Sequence, residues 1–419
     1  MRLLRAIKHT PMILVLLFIL IFLTPMAIFS PGENKNRAVV TAVGIDKMDE
    51  QYEVSFLTFI PTANQTYKET NSVISGIGNS VAEAVYEAQL SLGREIGLSH
   101  AKTTVVNESL FEEDVTSCLD YLSRIASLSE NTIFICTNSS AKEFLKASQS
   151  LDDEVGLKLE QLINYNATNI YVSDTSLDAF YKGYYGPEKA SIVGYLSLES
   201  GQGDASNSPN SEQSGSGSAS QGSSSQEGGS ASGSGGEEKK QILNKGETIL
   251  VKEGKLAQKI DDEILNGINL LNADARNQTI HIENVNDELY DNDDLTYTIK
   301  NKKVHVSTRF ENGYPIYCAN VIVGVRLDEI NNNGRAKEIN TEFSKITPIV
   351  EKMIKDKLKS QFSNALKVLR QNKTDVIGVY QTFEKEDRKN FQNFLQNLPD
   401  SDDFLSYITF QLVIKVQTE

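Results

Sequence analysis

The sequence predicts a mixed α/β (α+β) protein, with one N-terminal transmembrane helix followed by two or three mixed-sheet domains. Three observations carry this. An uncharged apolar run opens the chain, strand-like and helix-like segments alternate between residues 37 and 148, and a second such set follows a Gly/Ser-rich stretch. The breaks divide the chain into a transmembrane anchor at 1–30, N-terminal α/β domain(s) at 31–200, a flexible linker at 201–240 and C-terminal α/β domain(s) at 241–419. At 419 residues, 39% hydrophobic and 23% charged, the chain has room and composition for several cores. A formal net charge of −15 argues against nucleic acid, or an anionic bilayer surface, as the main partner, because phosphate is repelled.

The anchor reads "PMILVLLFILIFLTPMAIFS" (11–30). Pro11, Leu16, Phe18, Leu20, Phe22 and Phe29 fall within an apolar stretch that Thr24-Pro25 alone interrupts. As a helix, Pro11 to Phe29 is about 28 Å long, enough to cross a hydrocarbon core of about 30 Å. Arg2, Arg5 and Lys8 precede it, which places the N-terminus in the cytoplasm and the rest outside. Met26-Ala27-Ile28-Phe29-Ser30 puts bulky side chains where signal cleavage needs small ones, and the first cysteine is Cys118. The expectation is a retained, unlipidated anchor.

The elements after it follow in order. "RAVVTAVGID" (37–46) and "QYEVSFLTFI" (51–60) read as an antiparallel hairpin. Residues 78–97 read as a helix, with Val81, Ala84, Val85, Ala88, Leu92 and Ile96 on one stripe and Ser80 with Glu83 as a capping box. A strand (102–107), a helix (111–128), a strand (131–137) and a helix (140–148) follow. Residues 201–236, mostly Gly and Ser, cannot bury enough apolar surface to offset the entropy of ordering, and read as a flexible tether. Beyond it stand a hairpin turning at Glu253-Gly254, a short helix with acidic residues in its first turn (261–272), and strands at 277–284, 302–310 and 318–330. Thr347-Pro348 opens a long helix whose apolar face is Val350, Met353, Ile354, Leu358, Phe362, Ala365, Leu366 and Leu369. The chain closes on a strand with Ile408, Phe410, Leu412, Ile414 and Val416 on one face.

A search for chemistry assigns no catalytic, cofactor-binding or metal residue. His9, His100, His281 and His305 form no local ligand set, and Cys118, Cys136 and Cys318 make no CxxC pair and read as core residues. "SGIGNSV" (75–81) has Val81 where a dinucleotide fingerprint needs its third glycine, so Gly76 and Gly78 read as a turn needing positive φ. "YDNDDLTY" (290–297) has Thr296 where a calcium loop needs glycine, and reads as a solvated loop. Asp261, Asp262 and Glu263 suit a helix N-terminus. Tyr181, Tyr184 and Tyr185 lie in the aromatic cluster "FYKGYYGPEK" (180–189), outside any predicted regular element. They either pack the domain's own core or form a partner contact.

The hairpin "VVTAVGIDKMDEQYEVSFLTFIP" resembles the opening of the Ger(x)C family, the C subunits of spore germinant receptors, at Gly44, Ile45, Asp46, Lys47, Tyr52 and Val54. The resemblance continues through "SVAEAVYEAQLSLGREIGLSHAKTTVV" and through Arg124, Ala141, Glu143 and Leu145. It resumes after the tether at Glu263 and Gly267, and near the end at Gln371, Asp375 and Gly378 in "RQNKTDVIGVY". In all it runs from about Arg37 to Val416. Three features depart from the family pattern. The leader cysteine is replaced by the anchor, the Gly/Ser run is an insertion, and with no Trp in the chain the aromatic position before the last strand falls to Phe391 or Phe394. The resemblance implies several mixed α/β domains in a non-enzymatic, single-pass extracytoplasmic subunit at the spore inner membrane. It would work there with a polytopic A-type and a transporter-like B-type subunit in a germinant receptor. The family usually places nutrient binding in the B subunit, so no ligand or cofactor is assigned. The alternative is a membrane-anchored extracytoplasmic binding module of the same fold, outside germination. An envelope hydrolase finds no local nucleophile–base or metal set.

Overall fold

The computed structural model describes residues 37–60, 70–124, 128–129, 131–149, 176–200, 240–243, 247–275, 277–332, 334–339 and 345–419. The expected anchor, with Pro11, Leu16, Phe18, Leu20, Phe22 and Phe29, lies outside these residues, as does the Gly/Ser run up to 239. No described helix is long and apolar enough to cross a membrane.

The first sheet opens with the predicted hairpin, β1 (Arg37–Met48) and β2 (Gln51–Ile60), which turns at Asp49 with φ 55°. β3 (Thr70–Gly78) adds antiparallel to β2. Helix α1 (Val81–Leu92) follows, then β4 (Glu95–Gly97) and β5 (Thr103–Asn107), both parallel to β1. Helix α2 (Thr116–Arg124) and β6 (Ile133–Thr137) come next, then α3 (Ala141–Gln149), α4 (Leu177–Tyr185) and β7 (Ala190–Ser200). β5, β6 and β7 continue the parallel run. β8 (Lys240–Leu243) and β9 (Thr248–Lys252) pair antiparallel with β7, and β10 (Lys255–Ile260) pairs with β9. Ser200 and Lys240, which flank the Gly/Ser run, are direct partners across β7 and β8. The strands on either side of the run therefore belong to one sheet, in the order β10-β9-β7-β6-β5-β1-β2-β3 with β4 beside β1 and β8 beside β7.

This sheet is covered on both faces. Val43, Ile45, Val54 and Phe56 pack with the buried stripe of α1, Val81, Ala84, Val85 and Ala88. Ala42, Leu57, Val105 and Ile135 face Phe144 and Leu145 of α3. The predicted cap is present, with Glu83 N donating to Ser80 Oγ at 3.2 Å and Asn79 N donating back to Glu83 Oε2 at 2.8 Å. Gly76 and Gly78 are strand residues without positive φ, contrary to the turn expected of them. A Cβ on Gly76 would lie 2.2 Å from the Ala84 carbonyl oxygen, and one on Gly78 2.6 Å from the Ala84 nitrogen. They are small because α1 lies directly against β3.

The second part of the fold has α5 (Asp262–Asn269), a sheet of β11 (Thr279–Asn286), β12 (Asp291–Glu311), β13 (Tyr314–Asn332), β14 (Arg335–Ala336) and β15 (Thr409–Thr418), and the helices α6 (Pro348–Gln371), α7 (Val379–Glu386) and α8 (Arg388–Gln396). Asn312 and Gly313, with φ 52° and 85°, make the tight turn between the two long strands β12 and β13. β15 runs parallel to β13. The predicted face of α6 is buried from Val350 to Leu369, with Met353 at its margin, and Thr347 caps the helix through the Val350 nitrogen at 3.3 Å.

Three local expectations are corrected. Residues 291–297 are strand, not solvated loop, because Asp293 is buried and satisfied by Lys337 Nζ (2.6 Å) and Asn332 Nδ2 (2.8 Å), both distant in sequence. The helix expected from Phe111 begins at Thr116, after a single 3-10 turn at Glu108–Phe111. The tyrosine segment is helical as α4, capped by Ser176, whose Oγ accepts from Ala179 N at 3.1 Å.

Candidate functional site

Two aspartates from the resemblance motifs are buried acceptors at helix N-termini. Asp46, near the end of β1, accepts from Ala141 N at 2.7 Å, Lys142 N at 3.0 Å and Ser140 Oγ at 2.9 Å, which holds the first turn of α3. Burial nonetheless raises its pKa. Gly44 makes the approach possible, since a Cβ there would already sit 3.1 Å from the Ala141 Cβ. Buried Glu53 pairs with Lys142, and Lys47 pairs with Glu113 at 2.8 Å. Asp375 repeats the arrangement at α7, accepting from Ile377 N (3.2 Å), Val379 N (3.1 Å) and Tyr380 N (2.7 Å). Gly378 turns the chain into that helix with φ 73°. Gly267 lets α5 cross α6 closely, as its Cβ would meet the Gln361 carbonyl oxygen at 2.2 Å. Phe391 is fully buried and stacks on Phe383 at 4.9 Å.

Tyr181, Tyr184 and Tyr185 come together on α4. The rings of Tyr181 and Tyr185 stack at 5.9 Å, and Tyr184 meets Tyr185 edge-on at 5.0 Å. Tyr181 Oη donates to the Leu119 carbonyl at 3.1 Å and Tyr184 Oη to Asp114 Oδ2 at 2.8 Å. Tyr185 is 75% exposed. Two rings are thus docked onto the fold, and they hold the third against solvent.

Where α4 and β7 meet α5 and the start of α7, a cavity of about 450 Å3 lies between the two sheets. Ile192, Ile268 and Ile377 supply apolar walls, and Glu188, Asn269 and Asp375 supply polar ones. Glu188 is 5% exposed and Asn269 1% exposed, yet Glu188 Oε1 and Asn269 Oδ1 have no hydrogen-bond partner. The Glu188 pKa is raised by burial and further by the nearby Asp375 charge. Two lysines approach from behind without touching these atoms. Lys252 Nζ donates to the Glu188 main-chain carbonyl at 2.8 Å, and buried Lys302 donates to the Asn269 main-chain carbonyl. Burial pushes Lys302 down to about 7.

Nothing in the local pattern marks Glu188, Asn269 or Lys302. The inward residues of β12 change from Leu295, Tyr297 and Ile299 to Lys302 and Val304 at a bulge between Ile299 and Asn301, which alternation alone does not reveal. His100, His281 and His305 are exposed, and the described residues contain no group of three His, Cys, Asp or Glu placed to share a metal. Cys118 and Cys136 are buried in the first core, with the Cys118 thiol pushed up to about 12, and Cys318 is half-buried.

Residues 33–198 match the family described as "Spore germination protein N-terminal domain", and residues 245–418 match "Spore germination B3/ GerAC like, C-terminal". YfkR of Bacillus subtilis (strain 168), which carries a spore germination name, is 26% identical over 131 residues. That stretch spans 29% of this chain and only 34% of the relative's length. A crystal structure of the GerBC protein aligns over 90% of this chain and 96% of its own, at 12% identity and a TM-score of 0.49. The two family matches lie in order along the chain and meet the motifs at Gly44–Lys47 and Asp375–Gly378. The chain belongs to the GerAC, or Ger(x)C, family of spore germination proteins.

Proposed function

We propose that the protein is the C-type subunit of a nutrient germinant receptor, held at the spore inner membrane by its N-terminal helix and acting as a scaffold or signal-coupling element rather than an enzyme. The observation that carries this is the pair of family matches, which between them span residues 33–198 and 245–418. The apolar run at 11–29, with Arg2, Arg5 and Lys8 before it, supports one membrane pass with the folded part outside the cytoplasm. Its partners are the bilayer and the A-type and B-type membrane subunits. The α4 tyrosines support a docking role, because Tyr185 is a large aromatic presented on a fixed base, the kind of side chain that anchors interfaces.

The test is co-purification of the A-type and B-type subunits with tagged protein from spores. Tyr185→Ala should reduce recovery by about fivefold or more while leaving the melting temperature unchanged. Deleting the gene should impair the response to particular nutrients and leave vegetative growth intact. Growth defects with normal germination would move the protein to a membrane-anchored binding role outside germination.

A further inference from the structure

Two side-chain oxygens of the residues that line the cavity between the two sheets have no donor, although Gln381 bonds the Glu188 carboxylate elsewhere. Glu188 Oε1 and Asn269 Oδ1 are buried and unpaired, and leaving a buried acceptor unsatisfied costs about 1–3 kcal/mol. Asp375 adds a second carboxylate to the same wall, and no described Lys or Arg lines the cavity. The lysines behind it are committed to main-chain carbonyls, Lys252 to that of Glu188 and Lys302 to that of Asn269. Gln381 and Asn272 contribute amides and Ser191 a hydroxyl, while Ile192, Ile268 and Ile377 add an apolar part of the wall.

We propose that this cavity binds a small organic ammonium ion, a primary amine carried on a short apolar chain, toward whose N–H groups the Glu188 carboxylate and the Asn269 amide turn from their sealed positions. An ammonium group supplies both a positive charge, which the wall lacks, and donors for these two oxygens, and a charge-assisted hydrogen bond to a desolvated carboxylate is the strong kind. The alkyl chain lies on the isoleucines. A free amino acid fits less well, since its own carboxylate finds no described cation in the lining. A divalent metal fits less well again, because no three His, Cys, Asp or Glu among the described residues converge there. The volume, about 450 Å3, falls within the range of small-molecule sites. Glu188 comes from the first sheet's side and Asn269 and Asp375 from the second's, so the bound ion contacts both halves of the molecule.

Isothermal titration and thermal unfolding of purified full-length protein with propylammonium chloride test this. Tetramethylammonium chloride, sodium propionate and potassium chloride serve as comparisons. Propylammonium should bind saturably at one site and raise the melting temperature. Tetramethylammonium has charge but no N–H, propionate has the wrong sign and potassium has no directed donors, so these three should do neither. Glu188→Gln preserves shape and should fold with undiminished stability, yet weaken propylammonium binding by about tenfold or more. Asn269→Ala should weaken it in the same direction. Three results would each overturn the assignment: no saturable propylammonium binding, unchanged binding by Glu188→Gln, or an equal response to potassium chloride.

Discussion

Asp46 and Asp375 are buried, and each places a carboxylate where main-chain N–H groups at a helix start need an acceptor. Asp46→Ala leaves the Ala141 and Lys142 nitrogens without their acceptor at the start of α3. A loss of about 2–3 kcal/mol in urea unfolding is expected, more than an exposed cap is worth. Lys302 acts in the opposite sense. Its pKa is about 7 folded, against 10.5 for the free side chain, because burial disfavours the charged form. Between these values the unfolded chain holds a proton that the folded chain does not, so stability rises with pH across that window. The penalty is fully present below about pH 7 and fades toward pH 10.5. Lys302→Met should therefore stabilise the protein at pH 6 by about 1–3 kcal/mol, with the advantage shrinking as pH climbs to 10. The Asn269 carbonyl keeps a donor in the variant, from Asn272 N at 3.0 Å. An advantage that was constant with pH would mean that folding does not lower the Lys302 pKa. The aspartates were visible in the sequence through their motifs. Lys302 was not, because its inward position depends on a bulge.

Among elements, those defined by their own periodicity were legible. The stripe of α6, the Ser80–Glu83 cap and the β1–β2 hairpin stand as the residues imply, as does the α1 stripe from Val81 to Ala88, but the helix expected to reach 97 ends at Leu92 and Ile96 lies in β4. Elements set by tertiary partners were not. Tyr and Gly in α4 are poor helix formers, and the helix rests on close packing against β7, where a Cβ on Gly183 would lie 2.3 Å from the Ala190 carbonyl oxygen. The start of β12 looked polar because the pairing of Asp293 with Lys337 is non-local. Gly76→Ala tests the contact of α1 with β3. Its methyl group meets main-chain atoms of Ala84 and Ala88, which can yield only if the helix shifts, so about 1–3 kcal/mol should be lost. The β7–β8 pairing makes a second expectation specific. Since Ser200 and Lys240 already meet, replacing residues 201–239 by a short Gly/Ser turn should leave urea unfolding within about 1 kcal/mol of the parent. A larger loss of cooperativity would mean that the insertion packs on the fold.

At the scale of the whole molecule, two sheets with separate cores share one further apolar cluster, in which Leu250 and Ile260 of the first sheet pack with Leu265, Ile268 and Tyr317 of the second part. The cavity lies beside that contact. The order of motifs identified the family from sequence. The cavity stayed hidden, because Glu188, Asn269 and Asp375 are far apart in the chain and meet only through the packing of two sheets. The proposed role adds a bilayer to this architecture. A helix at 11–29 would keep the folded part near other membrane subunits, and the gain in effective concentration compensates for weak individual contacts. Mass measurement of membrane-extracted protein should find residues before Ser30 and no diacylglycerol.

The most direct test compares three spore strains at matched abundance: the native protein, one with Pro11–Phe29 replaced by an unrelated transmembrane helix of equal length, and one releasing the folded part without an anchor. Coupling through docked membrane partners predicts native nutrient-triggered germination from the helix swap and none from the released form. Full germination with the released form would contradict it.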